Sequence, residues 1–291
     1  MRRILPFLII IFTAFSTQFA GAFNWPVIEP VITSTFGGDK WDSYGSGIEI
    51  YGDGLEVRPS EDGELVFFEN MERPGTLPSG IGNFVVIEHD RKLRTLYASI
   101  DPVANVEELN SFTTAEIIGV SGGSGKSSKP HLHFAVIDSE FEQYVNPLLL
   151  LNSIADNKSP VIRAIGLGSE SGFMTIEKKT VVKAGKAEII AEIFDPCMTE
   201  DFYYTMAPYK IQLFHNGEEI FYLNFESLRY ESGHAVIQSN KDLKYTDFYK
   251  DGGFVSLGEI TLVPGDSRFE ILVSDYSKNE TGRTFQLTVI E

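Results

Sequence analysis

The spacing of apolar residues is the feature that most restricts the fold of this chain. Apolar residues recur at every second position or in short runs, and nowhere do they keep the i, i+3, i+4, i+7 spacing of an amphipathic helix over three turns. Such alternation is typical of β-strands with one buried face. The sequence therefore predicts an all-β protein, with strands in its first half at 65–68, 84–88, 94–99, 116–120 and 131–137.

The first 22 residues have the composition of an export signal. Arg2 and Arg3 precede an apolar run that several polar residues interrupt, and small residues follow at 20–22. Because a membrane span needs about 20 apolar residues, the pattern indicates a signal peptide at 1–22 that is cleaved after Ala22. We expect an exported protein, periplasmic or otherwise extracytoplasmic in the cell envelope, without an integral membrane segment after signal cleavage.

The charge balance excludes one class of partner. Without Arg2 and Arg3, the chain has 22 basic residues against 41 acidic ones, a formal charge of −19. Proteins that bind nucleic acids present basic stripes, and an acidic chain is also repelled by anionic membrane surfaces. We therefore expect no nucleic-acid partner.

A polar stretch divides the remaining chain into two parts. Residues 153–160 interrupt the strand pattern just before a new apolar run, as domain boundaries commonly do. We predict a first domain at 23–152, a linker at 153–160 and a second domain at 161–291. In the second, Asn216-Gly217 between two apolar runs predicts a hairpin with a type I′ turn. About seven strands over this length favour a β-sandwich, which we predict to be immunoglobulin-like.

Three smaller features are given structural interpretations. Cys197, the only cysteine, is expected to be a buried thiol, since no internal disulfide is possible. The aromatic residues at 202–204, 221–222 and 248–249 are interpreted as core and cross-strand packing, with a carbohydrate or protein surface as the alternative. The long connection at 69–82 is either the rim of a binding site or an ordinary insertion.

Two histidines separated by one residue are the sharpest chemical signal. His131 and His133 lie in an apolar run after a segment rich in glycine and serine. Side chains at i and i+2 of a strand project from the same face, about 6–7 Å apart, so both imidazoles can face one groove. Taken alone, the pair is compatible with a metal site or with ordinary surface histidines.

Several short motifs follow one another in a fixed order between about residues 31 and 151. They are Thr35-Phe36-Gly37, Gly47-Ile48-Glu49-Ile50, Gly63-Glu64-Leu65-Val66, the strand ending at His89, Thr95-Leu96-Tyr97-Ala98-Ser99, the glycine-rich segment 119–125, Pro130-His131-Leu132-His133-Phe134 and Asn146-Pro147. Together they resemble the lysostaphin or LytM-type zinc endopeptidases, which cut peptide cross-links in peptidoglycan. The resemblance implies a β-sheet domain with the duplicated hybrid motif of that family.

The resemblance also implies a site, and its set of zinc ligands is incomplete here. In the family, zinc is held by a histidine, an aspartate four residues later and the second histidine of His-Leu-His. These positions hold Gly45, Glu49 and His133 in this chain. Two further histidines act on the attacking water or on the oxyanion. One corresponds to His131, and Ser99 occupies the position of the other.

The missing groups argue against catalysis. A catalytic zinc needs about three protein ligands and an open position for water, whereas Glu49 and His133 provide two. The hydroxyl of Ser99 is not a base near neutral pH and does not replace an imidazole. We therefore expect no cofactor, zinc as the metal if one binds, and a vestigial role for His131.

Two functions from different classes stay open. The leading hypothesis is a non-catalytic, peptidase-like envelope protein that binds peptidoglycan peptides or regulates a cell-wall hydrolase, because degenerate members of the family activate cell-wall amidases. The alternative is a zinc metalloendopeptidase that cleaves peptidoglycan cross-links with a rearranged ligand set. In that case Asp39, Asp42 or Tyr44 reaches the position left vacant at Gly45.

Overall fold

A computed structural model of the chain describes residues 23–71, 73, 79–103, 106–127, 129–169, 172–177, 179–199, 202–237 and 242–291. The predicted signal peptide at 1–22 lies outside these residues. Within them, no helix has the length and apolar character that crossing a membrane requires. The helical elements of the described chain are short: α1 (Tyr245–Phe248) and 3₁₀ turns at Asp90–Lys92, Val106–Glu108, Pro147–Leu149 and Asp251–Gly253. The prediction of an all-β protein is confirmed.

The strands of the first half lie close to the segments with alternating apolar residues. In order they are β1 (Ile32–Ser34), β2 (Ile48–Tyr51), β3 (Glu56–Val57), β4 (Gly63–Glu69), β5 (Phe84–Glu88), β6 (Leu93–Ala98), β7 (Ile100–Pro102), β8 (Ser111–Phe112), β9 (Gly119–Ser121), β10 (His131–Asp138) and β11 (Gln143–Val145). The predicted strand at 116–120 is wrong at its start. Glu116 belongs to a turn in which its carboxylate accepts hydrogen bonds from the backbone N–H and the hydroxyl of Thr113.

Strand β10 is the centre of the main sheet. It pairs antiparallel with β6 on one side, and with β2 and then β11 on the other. Beyond β6 the order continues through β5 and β4 to β8, while β3, β9 and β7 form a small separate sheet. One apolar core lies against the inner face of β10, where Leu132, Phe134 and Val136 are buried.

The second half contains the longer strands. In order they are β12 (Val161–Ser169), β13 (Gly172–Thr175), β14 (Lys179–Lys183), β15 (Gly185–Met198), β16 (Tyr203–Met206), β17 (Lys210–His215), β18 (Glu218–Asn224), β19 (Ser227–Glu231), β20 (His234–Ile237), β21 (Leu243–Lys244), β22 (Tyr249–Lys250), β23 (Phe254–Leu262), β24 (Gly265–Ser274) and β25 (Glu280–Ile290).

Most of these strands form two sheets that share one core. One sheet has the order β13-β12-β15-β23-β22, with β16 on β15, and the other has the order β14-β25-β24-β17-β18. Ile189 and Leu257 from the first sheet and Leu213 and Phe269 from the second are buried in the same cluster. In the hairpin between β17 and β18, Asn216 (φ 52°) and Gly217 (φ 88°) both have positive φ, which confirms the type I′ turn. The immunoglobulin-like topology stays a prediction.

A hairpin of the second half joins the sheet of the first. Strand β19 pairs antiparallel with β11, in the register Gln143↔Arg229 to Val145↔Ser227. The described main sheet therefore runs β21-β20-β19-β11-β10-β6-β5-β4-β8, and it ends in a two-residue strand on each side. Phe36 from the first half is buried in the core of the second. The two halves thus share a sheet and a core, although residues 153–160 between them have no regular structure.

Candidate functional site

Two neighbouring strands bring the predicted site residues together. Glu49 lies on β2 directly opposite His133 on β10. On these strands the alternate residues Ile48 and Leu132 are fully buried in the core. The period of two therefore turns the polar side chains of Glu49, His131 and His133 to the other face of the sheet.

The carboxylate of Glu49 is the centre of the site. Its Oε1 lies 2.9 Å from Nδ1 of His133, and its Oε2 lies 2.8 Å from Nε2 of His131. The ammonium group of Lys40, on the loop before β2, forms an ion pair and hydrogen bond with Oε1. The Glu49 and Lys40 side chains are 13% and 21% exposed, so the cluster is shielded from most of the solvent.

These contacts keep Glu49 ionised. Burial alone would raise its pKa, but the charge of His133, the hydrogen bonds from both histidines and the charge of Lys40 together hold the pKa of Glu49 well below its ordinary value. The ammonium group of Lys40 is thus one of the positive charges beside this carboxylate.

Ser99 occupies the remaining family position without acting as a base. Its hydroxyl donates to the carbonyl of Ile81 at 3.1 Å and lies 3.3 Å from Nε2 of His131. Nδ1 of His131 is in turn 3.0 Å from the carbonyl of Lys129. Ser99 is 2% exposed and has a positive φ of 57°. The serine therefore helps to fix the orientation of His131.

Gly45 lies in a loop held by backbone hydrogen bonds. The Gly45 N–H donates to the carbonyl of Gly38, and the Gly45 carbonyl accepts from the N–H of Gly37. A Cβ atom at Gly45 would lie 3.4 Å from the Gly38 carbonyl oxygen. This is an ordinary van der Waals distance, so there is room for a Cβ atom, but the glycine itself supplies no side-chain donor at this point.

The residues proposed to replace the missing ligand point elsewhere. The Asp39 carboxylate accepts a hydrogen bond of 2.6 Å from the hydroxyl of Tyr245. Tyr44 is buried and packs on Tyr245, Phe248 and Tyr249 of the second half. Asp42 is exposed. None of the three is positioned as a ligand beside Glu49.

The residues present do not fit a catalytic zinc. Glu49 and His133 are two donors where about three are needed, and one oxygen of Glu49 is engaged by a lysine. Among the described residues, the one group of three metal-ligating side chains whose ligand atoms all lie within 4.8 Å of one another consists of aspartates elsewhere in the chain. His89 is also unavailable, because its ring bonds to the carbonyl of Asp62 and the hydroxyl of Thr95.

A groove of about 280 Å³ opens over this cluster. Its lining contains the carboxylate of Glu49 and three lysines, Lys40, Lys126 and Lys129. Trp41 is 54% exposed, and the ammonium nitrogens of Lys40 and Lys126 lie 4.8 and 6.0 Å from the centre of its ring. The groove is therefore locally basic and aromatic, although the whole chain is acidic.

The second half supplies one wall of the groove. Tyr204 on β16 lies in the lining, and the Lys129 ammonium is placed over the rings of Phe202 and Tyr204. Phe202 also contacts the ring of Tyr51 at 6.4 Å. Core packing is therefore wrong for residues 202–204, since Phe202 and Tyr203 are 38% and 54% exposed, but their cross-strand packing is confirmed by the contact of Tyr203 with the ring of Phe194 on β15. Core packing is confirmed for Phe221 and Phe248, which are buried in the core of the second half. Residues 74–78 of the predicted rim lie outside the described part of the chain.

The histidine pair and Glu49 were predicted to lie together, and they do. Lys40, Trp41 and the two lysines after β9 were missed. The available signal was a local excess of lysine and aromatic residues near the motifs of an otherwise acidic chain. Cys197 is half-buried and not fully buried as expected.

In this antiparallel sheet, a carboxylate and the two histidines of a His-Leu-His strand face one groove. This is the arrangement that the resemblance to the LytM-type peptidases implies. The model of Peptidase family M23 matches residues 43–147. Residues 43–147 therefore form a domain of this family. A second family model, which carries no description, matches residues 159–290.

Characterised relatives match only parts of this chain. The chain is 37% identical over 81 residues to DD-carboxypeptidase/endopeptidase Mpg of Neisseria meningitidis, covering 28% of this chain and 17% of that protein. It is 29% identical to glycyl-glycine endopeptidase ALE-1 of Staphylococcus capitis, covering 47% and 36%. A solved zinc-containing peptidase from Vibrio cholerae has a TM-score of 0.37 and 23% identity, covering 46% of this chain and 41% of that one. The chain thus spans well under two thirds of these proteins.

Proposed function

We propose that this protein is a non-catalytic member of the M23 family that binds peptidoglycan peptides in the cell envelope. The observation that carries the proposal is the ion pair between Lys40 and Glu49, which places an ammonium group on the carboxylate that the family uses for zinc. With Gly45 and Ser99 at two other positions, the groove lacks a third metal ligand and the second of the two catalytic histidines that the family resemblance implies. We therefore propose that neither zinc nor another cofactor is needed for its function.

The chemistry of the groove favours peptidoglycan stem peptides as the ligand. These peptides combine short side chains with several free carboxylates. Among the described residues, Lys126 and Lys129 line the groove without the carboxylate partner that Lys40 has, so they are suited to bind such carboxylates. The exposed ring of Trp41 between Lys40 and Lys126 offers an apolar contact surface.

A binding measurement with defined ligands tests this function. Calorimetric titration of the mature chain with purified stem peptides should give saturable binding, and amidation of the peptide carboxylates should weaken it at least tenfold. Lys126→Ala and Trp41→Ala should each weaken binding by about 1–2 kcal/mol. Lys186→Ala, an exposed lysine on β15 outside the groove, is the matched control. Equal binding by all variants would show that the groove is not the binding site.

The enzymatic alternative is tested on the same preparation. Metal analysis of protein purified without chelator should show no stoichiometric zinc, and peptidoglycan cross-link peptides should stay intact on incubation. Stoichiometric zinc that disappears in His133→Ala, together with peptide cleavage, would establish a rearranged peptidase. Regulation of a cell-wall hydrolase is a separate outcome, recognised by a change in the rate of the purified hydrolase when this protein is added.

A further inference from the structure

Three aspartates meet outside the groove that contains the histidines. Asp156 lies in this connecting stretch, Asp195 lies on β15, and Asp275 begins the turn between β24 and β25. One carboxylate oxygen from each lies within 4.8 Å of the other two. Asp195 and Asp275 are 4% and 2% exposed, so this is a largely buried cluster of like charges.

The described residues neutralise this cluster only in part. Both oxygens of Asp275 accept hydrogen bonds from Asn279, through its backbone N–H at 2.9 Å and its side-chain amide at 2.8 Å. Oδ1 of Asp156 accepts from the backbone N–H of Lys158 at 3.0 Å. Oδ1 of Asp195, in contrast, is buried and has no hydrogen-bond partner among the described residues. A buried carboxylate oxygen without a donor is costly unless a ligand satisfies it.

The electrostatic environment of Asp195 and Asp275 also indicates that the cluster is short of positive charge. Burial, followed by the charges of Asp275 and Asp156, raises the pKa of Asp195 to about 7, and the charge of Lys158 opposes this only in part. Burial also raises the pKa of Asp275. The cluster therefore lacks one or more positive charges close to its oxygens.

We propose that Asp156, Asp195 and Asp275 form a site for a divalent cation, with Ca²⁺ as its occupant. Carboxylate oxygens are hard ligands, and Ca²⁺ binds six to eight oxygens at about 2.3–2.6 Å. Two oxygens on one Ca²⁺ can therefore be about 5 Å apart, which accommodates the observed separations. Mg²⁺ requires nearly octahedral geometry at about 2.0–2.1 Å, so it fits oxygens near the upper end of this range less well.

Solvent can complete the coordination shell. A groove of about 480 Å³ borders the cluster and is lined by Asp156 and Asp195. Trp25 of the first half and Tyr276 of the second lie in the same lining. A bound cation would tie the connecting stretch to β15 and to the last hairpin. It would therefore limit the freedom of residues 153–160 at the junction of the two halves.

Titration with Ca²⁺ itself tests the proposal. The mature chain is freed of metal with EDTA, dialysed, and titrated with CaCl₂ by calorimetry while its unfolding temperature is recorded. We expect one Ca²⁺ per chain with a Kd of about 10⁻⁴–10⁻³ M or tighter, and an unfolding temperature several degrees higher at saturation. MgCl₂ should act at least tenfold more weakly. An equal shift with Ca²⁺, Mg²⁺ and NaCl at matched ionic strength would overturn the proposal, since charge screening would then account for it.

Variants separate binding from general stability. Asp195→Asn should abolish the Ca²⁺ response and raise the unfolding temperature in EDTA, because it removes one of three repelling charges. Asp156→Asn, at a half-buried position of the mostly exposed connecting stretch, should weaken Ca²⁺ binding at least tenfold and serves as the second variant if Asp195→Asn does not fold. Asp53→Asn, on an exposed turn, should leave the response unchanged. A full Ca²⁺ response in Asp195→Asn or in Asp156→Asn would refute the site.

Discussion

At the scale of single residues, Lys40 and Glu49 form a shielded ion pair in the groove. The ammonium group of Lys40 lies on the oxygen of Glu49 that also bonds to His133. Removing one member of a shielded ion pair leaves the other member without compensation, and this is more harmful than replacing both with neutral groups. The cluster can therefore be probed by the difference between single and double variants.

We predict a strong energetic coupling between Lys40 and Glu49. Glu49→Gln should lower the free energy of unfolding by about 3 kcal/mol, whereas the double variant with Lys40→Met should recover more than about 1 kcal/mol of this loss. Urea unfolding of the four proteins in the cycle gives both values. The same cycle with Lys186→Met in place of Lys40→Met should show no coupling. A coupling below about 0.5 kcal/mol would mean that Lys40 is not the counter-ion.

The cost of Glu49→Gln should depend on pH in a defined direction. Because the folded-state pKa of Glu49 lies well below its ordinary 4.5, the charged carboxylate stabilises the fold at all pH values above about 4.5. This contribution is lost as the pH falls below 4.5 towards the folded-state value. The stability difference between the natural chain and Glu49→Gln should thus be full at pH 6–7 and shrink below pH 4.5. A difference that grows on acidification would contradict the assignment.

At the scale of elements, Asn146 holds β11 to the hairpin of the second half. It is fully buried, its side-chain amide donates to the carbonyl of Phe225 at 2.7 Å, and its side-chain oxygen accepts from the N–H of Leu148. Its backbone N–H donates to the carbonyl of Glu226. One side chain therefore caps the turn at Pro147–Leu149 and continues the pairing of β11 with β19.

We predict that the charge of the side chain at position 146 affects stability more than the size of that side chain does. Asn146→Ala should cost about 1–3 kcal/mol, because buried polar groups lose their partners. Asn146→Asp should cost more at neutral pH, since a carboxylate oxygen would replace the amide that faces the Phe225 carbonyl. Chemical denaturation measures both, with Asn24→Asp, at an exposed position, as the control. An Asp variant as stable as the natural chain would contradict the described hydrogen bond.

Local sequence patterns predicted the strands and turns but not all of the strand pairings and side-chain contacts. Strands such as Phe84–Glu88 and the turn at Asn216-Gly217 depend on nearby residues, so alternation and turn chemistry were sufficient. The motifs likewise placed Glu49 beside His133. The pairing of β11 with β19 was not predictable, because a strand edge carries no local mark of its partner. Lys40 was missed for a related reason: a long side chain on a loop reaches a site that only the folded chain creates.

At the scale of the whole molecule, the two halves are joined by shared core packing and hydrogen bonds. Phe36 is buried in the second core, Thr35 donates to the carbonyl of Ala207, and Tyr249 donates to the carbonyl of Gly37. A Cβ atom at Gly37 would lie 2.0 Å from the ring of Phe225. These contacts all come from the loop that precedes the groove, so the second half fixes the loop that carries Lys40 and Trp41.

We predict that residues 23–291 unfold as one cooperative unit. Calorimetry should show a single transition whose calorimetric and van't Hoff enthalpies agree. A fragment of residues 23–152 should be largely unfolded or aggregated, because it exposes the edge of β11 and the apolar ring of Phe36. Two well-separated transitions, together with a stable soluble fragment, would show instead that each half folds alone.

The short terminal strands of the main sheet have a consequence for colloidal behaviour. The two ends of its long path, β8 and β21, offer only two residues each to an approaching chain, and β21 ends in Lys244. A neighbouring molecule therefore finds little backbone at these two ends on which to extend this sheet. Mutual repulsion between copies that each carry a formal charge of −17, or −19 once Arg2 and Arg3 are absent, acts in the same direction. Crowded solutions of this protein should remain dispersed, even though nearly every element in it is a strand.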